Sequence, residues 1–381
     1  MKNSLKLDVN AMVERYSLPT RLKAELAVVC AAQVSEVLSR TRVSPKVTSY
    51  KTQERRMYTV CRTFAELRTL GFAVESAHAL SAKHLTALVA YWIGEGQSGG
   101  TIENKLSHLR AYAKWIGKRG LVLSLEDYVD RDAAGLKRTY VTTTDKSWEA
   151  AGVDAGSLIS EIGKQYPRVA VQLKLQAAFG LRIEESFSLK PASALRNLDT
   201  LRVKDGTKGG RERLVPTQLR LDVLAEALAL CDPLSGSTTP ATYTIARWRD
   251  HYNFVLRKFG IYKKGLGVTS HGLRHQWLQE YYERISGAPA PVKGSVLRPD
   301  ADLHREALQL AVEAAGHSKA SKTGAYLSTH HTMAGIQRKR ISPDEAKQAL
   351  DQANGNVSQA AKHLGVTRQS LYRAMAHLAP R

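Results

Sequence analysis

Tyr326 stands nine positions after His317 in the run Gly316-His317-Ser318, and both follow a compact block, His271-Gly272-Leu273-Arg274-His275. A phenol, two histidines and an arginine in this order have the groups needed to attack a phosphodiester: a nucleophile, proton carriers and a clamp for anionic oxygens. Two further blocks lie upstream, Gly180-Leu181-Arg182-Ile183-Glu184-Glu185 and Lys208-Gly209-Gly210-Arg211-Glu212-Arg213-Leu214-Val215-Pro216. A tyrosine at its reference pKa of about 10 is roughly one part in a thousand phenolate at pH 7, so a base must take its proton as it attacks. Negative charge grows on the equatorial phosphate oxygens in the transition state. Planar guanidinium forks bind two such oxygens best, which makes Arg182 and Arg274 the candidates. The leaving oxygen would depart as a strongly basic alkoxide unless an acid protonates it.

In order and with these gaps, the four blocks resemble the catalytic domain of the tyrosine recombinases, the integrase family of phages and mobile elements, over residues 155–335. The resemblance implies a catalytic set of Arg182, Lys208, His271, Arg274, His317 and Tyr326. Tyr326 would be the nucleophile, Lys208 the general acid on a β-hairpin, and His271 and His317 the groups that handle protons at the same phosphate. Glu185 matches the acidic partner of the first block and would hold the Arg182 fork; His275 reads as a supporting, buried and hydrogen-bonded histidine that fixes its helix. Lys204 competes with Lys208 for the acid role, and the glycines after Lys208, which let a hairpin tip approach DNA closely, favour the latter. The chain departs from the pattern in three places. Ser186 and Ala315 stand where the family has aliphatic residues, and the gap from Arg274 to His317 is long, with its excess in the Pro/Gly-rich run 286–294, expected to project as a loop.

The elements that must position these groups are partly readable. Thr200-Leu201-Arg202-Val203 and Arg213-Leu214-Val215 alternate as strands, with Asp205-Gly206 as a turn signal, so a hairpin is expected. Upstream, Met57, Val60, Cys61, Phe64 and Leu67 recur at helical spacing, as do Leu85, Leu88, Val89, Trp92 and Ile93. Thr101 reads as the N-cap of a helix burying Ile102, Leu106, Leu109, Ala113 and Ile116. Lys105, Arg110 and Lys114 fall on the outer faces and are candidate DNA contacts. This unit is similar to the core-binding domain that precedes the recombinase catalytic domain. After Tyr326 the chain continues into three short helical patterns, of which Gly355-Asn356-Val357-Ser358-Gln359-Ala360-Ala361 and Leu371-Tyr372-Arg373 resemble the helix-turn-helix of Fis-type regulators. Arg368, Gln369, Ser370 and Arg373 would then face a major groove. His330 and His331 read as surface residues.

The fold expected is mainly α with a small β-hairpin, an α+β arrangement. It comprises a helical extension of open role (1–48), a helical core-binding domain (49–130), a linker (131–155), a recombinase catalytic domain (156–335) and a three-helix helix-turn-helix (336–381). The formal charge of +21 over 381 residues is spread through these segments and reads as a nucleic-acid surface. Cys30, Cys61 and Cys231 are far apart and form no metal-binding pair, and no apolar run is long enough to span a membrane. No metal or cofactor is expected. A protein of a bacterial cytoplasm, associated with the nucleoid, is. The function implied is site-specific cutting and rejoining of DNA through a 3′-phosphotyrosine, serving integration or excision of a mobile element. The partners implied are double-stranded attachment sites, three further copies of the chain in a homotetramer, and an accessory DNA-bending or directionality factor. A type IB topoisomerase-like enzyme and a catalytically silent helix-turn-helix regulator are the alternatives.

Overall fold

The computed structural model describes residues 6–36, 48–207, 211–217, 220–295, 297–317, 319–337, 342–364, 366, 371–372 and 374–375. The chain divides into two compact units, residues 1–139 and 140–381.

The first unit is helical: α1 (Val9–Glu14), α2 (Thr20–Gln33), α3 (Tyr50–Thr69), α4 (Ala82–Gly94) and α5 (Gly99–Trp115). Leu22, Leu26 and Cys30 of α2 share one core with Met57, Phe64, Leu88, Trp92, Leu106 and Tyr112, so the first helices are built into the same hydrophobic cluster as α3–α5. Helix α5 begins earlier than its sequence pattern implies. The Ser98 hydroxyl accepts from the Thr101 amide at 3.4 Å, which makes Ser98 the cap and places Thr101 inside the first turn. Leu136 closes this core from the chain's exit.

The second unit continues with α6 (Ala155–Gln165), α7 (Pro167–Phe179), α8 (Ile183–Ser188), α9 (Pro191–Ala194), β1 (Thr200–Val203), β2 (Arg213–Pro216), α10 (Leu221–Ala229), α11 (Ile245–Lys258), α12 (Ser270–Ser286), α13 (Ala301–Ala314), α14 (Gly324–Leu327), α15 (His330–Gln337), α16 (Pro343–Gln352) and α17 (Val357–Leu364). Helix α7 is the central strut, apolar around most of its circumference. It contributes Val171, Leu175 and Phe179 to one cluster and Val169, Ala170 and Leu173 to the adjoining one. Its two interior glutamines are hydrogen-bonded: Trp248 Nε1 donates to Gln172 at 3.0 Å, and Gln176 donates to the Tyr252 hydroxyl at 2.7 Å. The helix stops at Gly180, whose φ of +57° closes it in the left-handed conformation; a Cβ there would also meet the Trp277 ring at 2.5 Å, so both backbone and packing require glycine.

Strands β1 and β2 pair antiparallel with Leu201 opposite Val215 and Val203 opposite Arg213, where the alternation places them. The inward face thus carries Leu201, Val203 and Val215, together with one charged residue, Arg213. The Pro/Gly-rich run differs from expectation. It does not project: Ala288, Ala290 and Val292 are buried, and the short turn Pro291–Lys293 packs against α14 and α15. Small apolar side chains fill the core there, a property that a turn-like composition does not reveal. Trp148, which falls in the stretch 131–155, is fully buried and donates from Nε1 to the Thr269 carbonyl at 2.8 Å.

The C-terminal helices form their own small core, in which Ala346 and Ala349 of α16 meet Ala360 and Ala361 of α17 together with Leu371 and Ala374. Ser342 and Glu345 make a reciprocal capping box at the start of α16, with Pro343 in the first turn. No helix among the described residues is long and apolar enough to cross a membrane.

Candidate active site

Four chain segments bring the chemistry together. The start of α12 carries His271, Arg274 and His275, whose i, i+3, i+4 spacing puts them on one helical face. Arg182 is the N-cap of α8, directly after the α7 terminus. The chain leaving α13 supplies the Ala315 carbonyl and His317, and α14 supplies Tyr326.

Arg274 is 1% exposed. Nη1 donates to the Gly180 carbonyl and Nη2 to the Ala315 carbonyl at 2.6 Å, while Nε faces the Tyr326 hydroxyl at 3.5 Å. Burial lowers the Arg274 pKa to about 10, opposed by Tyr326 and reinforced by Arg182 and Arg213. Arg182 reaches the same carbonyl: its Nη2 donates to Ala315 at 2.8 Å, so one backbone oxygen holds both guanidinium groups. Its Nη1 and its backbone N–H each donate to Glu185, both at 2.7 Å.

Glu185 is fully buried and receives a second fork. Arg213 Nη1 and Nη2 donate to its two oxygens at 2.7 Å each. Burial works against the ionised carboxylate, yet hydrogen bonding and charge from Arg213, followed by the charge of Arg182, bring its pKa down to about 2. The sequence reading had Arg213 as a strand residue and missed this pairing. The signal available was its inward position beside Val215 in the alternation, since an arginine on the buried face of a strand needs a carboxylate partner.

The Tyr326 side chain lies within a ring of histidines and is 8% exposed as a residue. Ring centroids stand 4.8 Å away at His275 and 6.0 Å away at both His271 and His317. Burial, then the neighbouring cations, depresses the histidine pKa values. His317 falls to about 4 through burial followed by Arg182 and Arg274; His275 falls to about 3 through burial followed by His271 and Lys146. His271 is pushed to about 4 by the same order of causes, burial before Arg274, although its exposed edge lets solvent screen part of that shift. All three imidazoles are therefore held in the neutral form at pH 7, each with one unprotonated ring nitrogen, and are weaker bases than an ordinary histidine. His275 is buried as expected, but its Nδ1 has no hydrogen-bond partner among the described residues, and it is nearer the tyrosine ring than either of the other two.

Other expected positions are distributed differently. Lys208 lies outside the described residues, as do Arg368, Gln369, Ser370 and Arg373; Lys204 is exposed at the end of β1. Lys105, Arg110 and Lys114 were placed on a wet basic face, and the structure gives each an internal partner. Lys105 sits 4.3 Å over the Trp92 ring and 3.9 Å from Glu66, Arg110 donates to the carbonyls of Val122 and Leu123, and Lys114 pairs with Glu36. Helical spacing assigns a face to a residue but does not say what covers it. His331 is exposed, whereas His330 is half-buried with its ring 5.4 Å from that of His304. Among the described residues no cluster of three or more His, Cys, Asp or Glu side chains is arranged to hold a metal ion.

Comparison with known proteins fits this geometry. Residues 138–280 match the family model described as integrase, and residues 40–122 match that described as phage integrase, N-terminal. Residues 347–378 match the model for bacterial regulatory proteins of the Fis family. No curated protein sequence matches the chain. Among solved structures, a lambda integrase dimer bound to a COC′ core site is similar in fold, with a TM-score of 0.51 at 15% identity over 84% of this chain and 99% of that one. The Tn1549 transposon integrase in complex with transposon right end DNA is similar as well, with a TM-score of 0.50 at 15% identity over 81% of this chain and 96% of that one. With the two integrase models together matching more than half of its residues, and a tyrosine downstream of them packed beside Arg274 and three histidines, the chain belongs to the phage integrase family of tyrosine recombinases and carries a Fis-type helix-turn-helix at its C-terminal end.

Proposed function

We propose that the enzyme cuts DNA at specific attachment sites by attack of the Tyr326 hydroxyl on a scissile phosphate. A bond forms between the phenolic oxygen and phosphorus, the bond to the 5′-oxygen breaks, and a 3′-phosphotyrosine and a free 5′-hydroxyl result. The phenolic proton passes to one of the neutral imidazoles, and the 5′-oxygen takes a proton from the acid, assigned to Lys208. The 5′-hydroxyl of a partner duplex then attacks the phosphotyrosine and restores a phosphodiester. The bond energy is retained throughout in the covalent link.

The single observation that carries this reading is the charge balance around the tyrosine. Arg274 lies over the Tyr326 ring and Arg182 joins it at the Ala315 carbonyl, while the carboxylate of Glu185 is shared between Arg182 and Arg213, and the nearby histidines are held neutral. Such a site is short of negative charge, and the Ala315 carbonyl fixes the spacing of two of the guanidinium groups. It suits a phosphate whose oxygens gain charge in the transition state. On this reading the helical unit from about residue 49 and the C-terminal helices bind flanking DNA, and the latter select the site. Four copies assemble on two duplexes, with an accessory bending or directionality factor, to integrate or excise a mobile element in the nucleoid of a bacterial cell.

Incubating the protein with a nicked duplex carrying its attachment site tests the chemistry. A covalent protein–DNA adduct is expected with the wild type and none with Tyr326→Phe. An adduct that survives in Tyr326→Phe would remove the nucleophile assignment, and relaxation of supercoils without sequence preference would favour the topoisomerase-like alternative.

A further inference from the structure

The buried Arg213 lies outside the set of groups that the proposed mechanism uses. It belongs to β2, and the residues joining β1 to β2 include Lys208. Its side chain is 3% exposed and both of its terminal nitrogens are spent on Glu185, which in turn holds the Arg182 fork and backbone. A second contact ties the same hairpin to the same helix. Gly206, at a φ of +74°, lies against the first turn of α8 so closely that a Cβ would come within 2.3 Å of the Glu184 carbonyl oxygen and 2.8 Å of the Glu185 nitrogen. The hairpin is thus fastened to the start of α8 at its turn by backbone contact and at its second strand by the double fork.

We propose that Arg213 is a positioning residue, which couples the β-hairpin to the phosphate clamp by holding Glu185 in place, and through Glu185 the guanidinium of Arg182. This rests on Arg182 being a phosphate clamp. The Arg213 fork on one side, and one side-chain and one backbone bond from Arg182 on the other, leave Glu185 no freedom to rotate, so a displacement of β2 is passed to Arg182. Strand β2 and the fork that binds the phosphate then move as one body.

Among the described residues, the charged groups around Glu185 include Arg182 on its own helix, Arg213 from β2, His271 from α12, whose protonation the carboxylate favours, and Lys190, Lys204 and Asp205, which line the same cavity. Without Arg213, burial outweighs the remaining cation, and Glu185 takes up a proton in a range where the wild-type carboxylate stays charged. In Arg213→Met, cleavage of the nicked substrate is expected to slow by about 100-fold, the size of loss that a misplaced catalytic group produces. An acid limb is expected to appear between roughly pH 5 and 7, the range into which a buried carboxylate moves when its main cation is lost. Arg213→Lys should restore the flat profile while recovering only part of the rate, and Arg213→Met combined with Glu185→Gln should lack the limb. In the DNA-free full-length protein, the carboxyl carbon resonance of Glu185 should titrate in Arg213→Met at least two pH units above its wild-type midpoint. That measurement needs no cleavage, so it separates failure of the coupling from failure of the proposed reaction. A folded Arg213→Met protein with the wild-type rate and profile would overturn the proposal. So would a slowed variant whose pH profile and Glu185 titration are unchanged, because the defect would then be one of packing alone.

Discussion

The two units of this chain hold their internal cations differently. In the first, the cations gather on two carboxylates: Glu66 accepts from Trp92 at 2.8 Å and from Arg62 at 3.0 Å with Lys105 nearby, and Glu36 takes Lys114 together with Trp115 while its carbonyl takes the buried Arg56. In the second, the guanidinium groups of Arg182 and Arg213 share the one carboxylate of Glu185, and the buried Arg274 is held by two backbone carbonyls. Matched charge stabilises a scaffold, and unmatched charge costs stability unless something else gains by it. A surplus of buried positive charge is what an enzyme needs when its substrate brings the missing anion, so the difference separates the unit that is a frame from the one that holds a reaction.

Three measurements would break or sharpen this contrast. The largest effect is expected at Arg274, where replacement by Met removes a donor pre-set for the transition state; single-turnover adduct formation should fall by about 10²–10³-fold. A loss below tenfold would mean that the surplus charge is not catalytic. In the first unit, Lys105→Met should cost about 1 kcal/mol in urea unfolding, the scale of a partly buried cation–π contact with a weak ion pair. It should also leave the salt dependence of DNA binding unchanged. A drop of about one in the slope of log K against log salt would show that Lys105 leaves Glu66 and Trp92 to meet a phosphate. The third measurement is of acid stability. His275 has a folded pKa of about 3, below the ordinary histidine value, so its contribution is fully present above pH 6.5 and is lost as pH falls from there towards 3. Glu185, also depressed, contributes above the ordinary carboxylate range and loses its part only as pH falls towards 2. Stability should therefore decline from pH 6.5 downwards at up to about 1.4 kcal/mol per pH unit per proton, with His271 and His317 adding to it, and His275→Phe should make that decline shallower; an unchanged slope would place the titration elsewhere.

The sequence exposed those parts of the molecule that are encoded locally. The hairpin strands follow from alternation, and the arginine and histidines of α12 follow from spacing within a single turn. What stayed hidden was pairing across the fold. Arg213 and Glu185 are 28 positions apart and meet because β2 lies against the start of α8, which no periodicity announces. Lys105, Arg110 and Lys114 carried the right charge on the right helix, but their partners came from α3, from the loop at Val122–Leu123 and from Glu36. Residues 286–294 looked like a protruding loop because proline and glycine report backbone shape and say nothing of burial; Ala288 and Ala290 pack inward regardless. His275 reads as inert beside Arg274, and only the fold reveals that α14 brings Tyr326 onto it.

The Ala315 carbonyl has one further bearing, on how this site tolerates mutation. Two guanidinium groups from distant helices share an acceptor that belongs to the main chain. No substitution at position 315 can delete it, and any side chain small enough for the buried site leaves the oxygen where it is. The spacing of the clamp is thereby insulated from the genetic drift of the residue that provides it, and alanine can stand here in place of a larger aliphatic side chain without changing where the phosphate would be held.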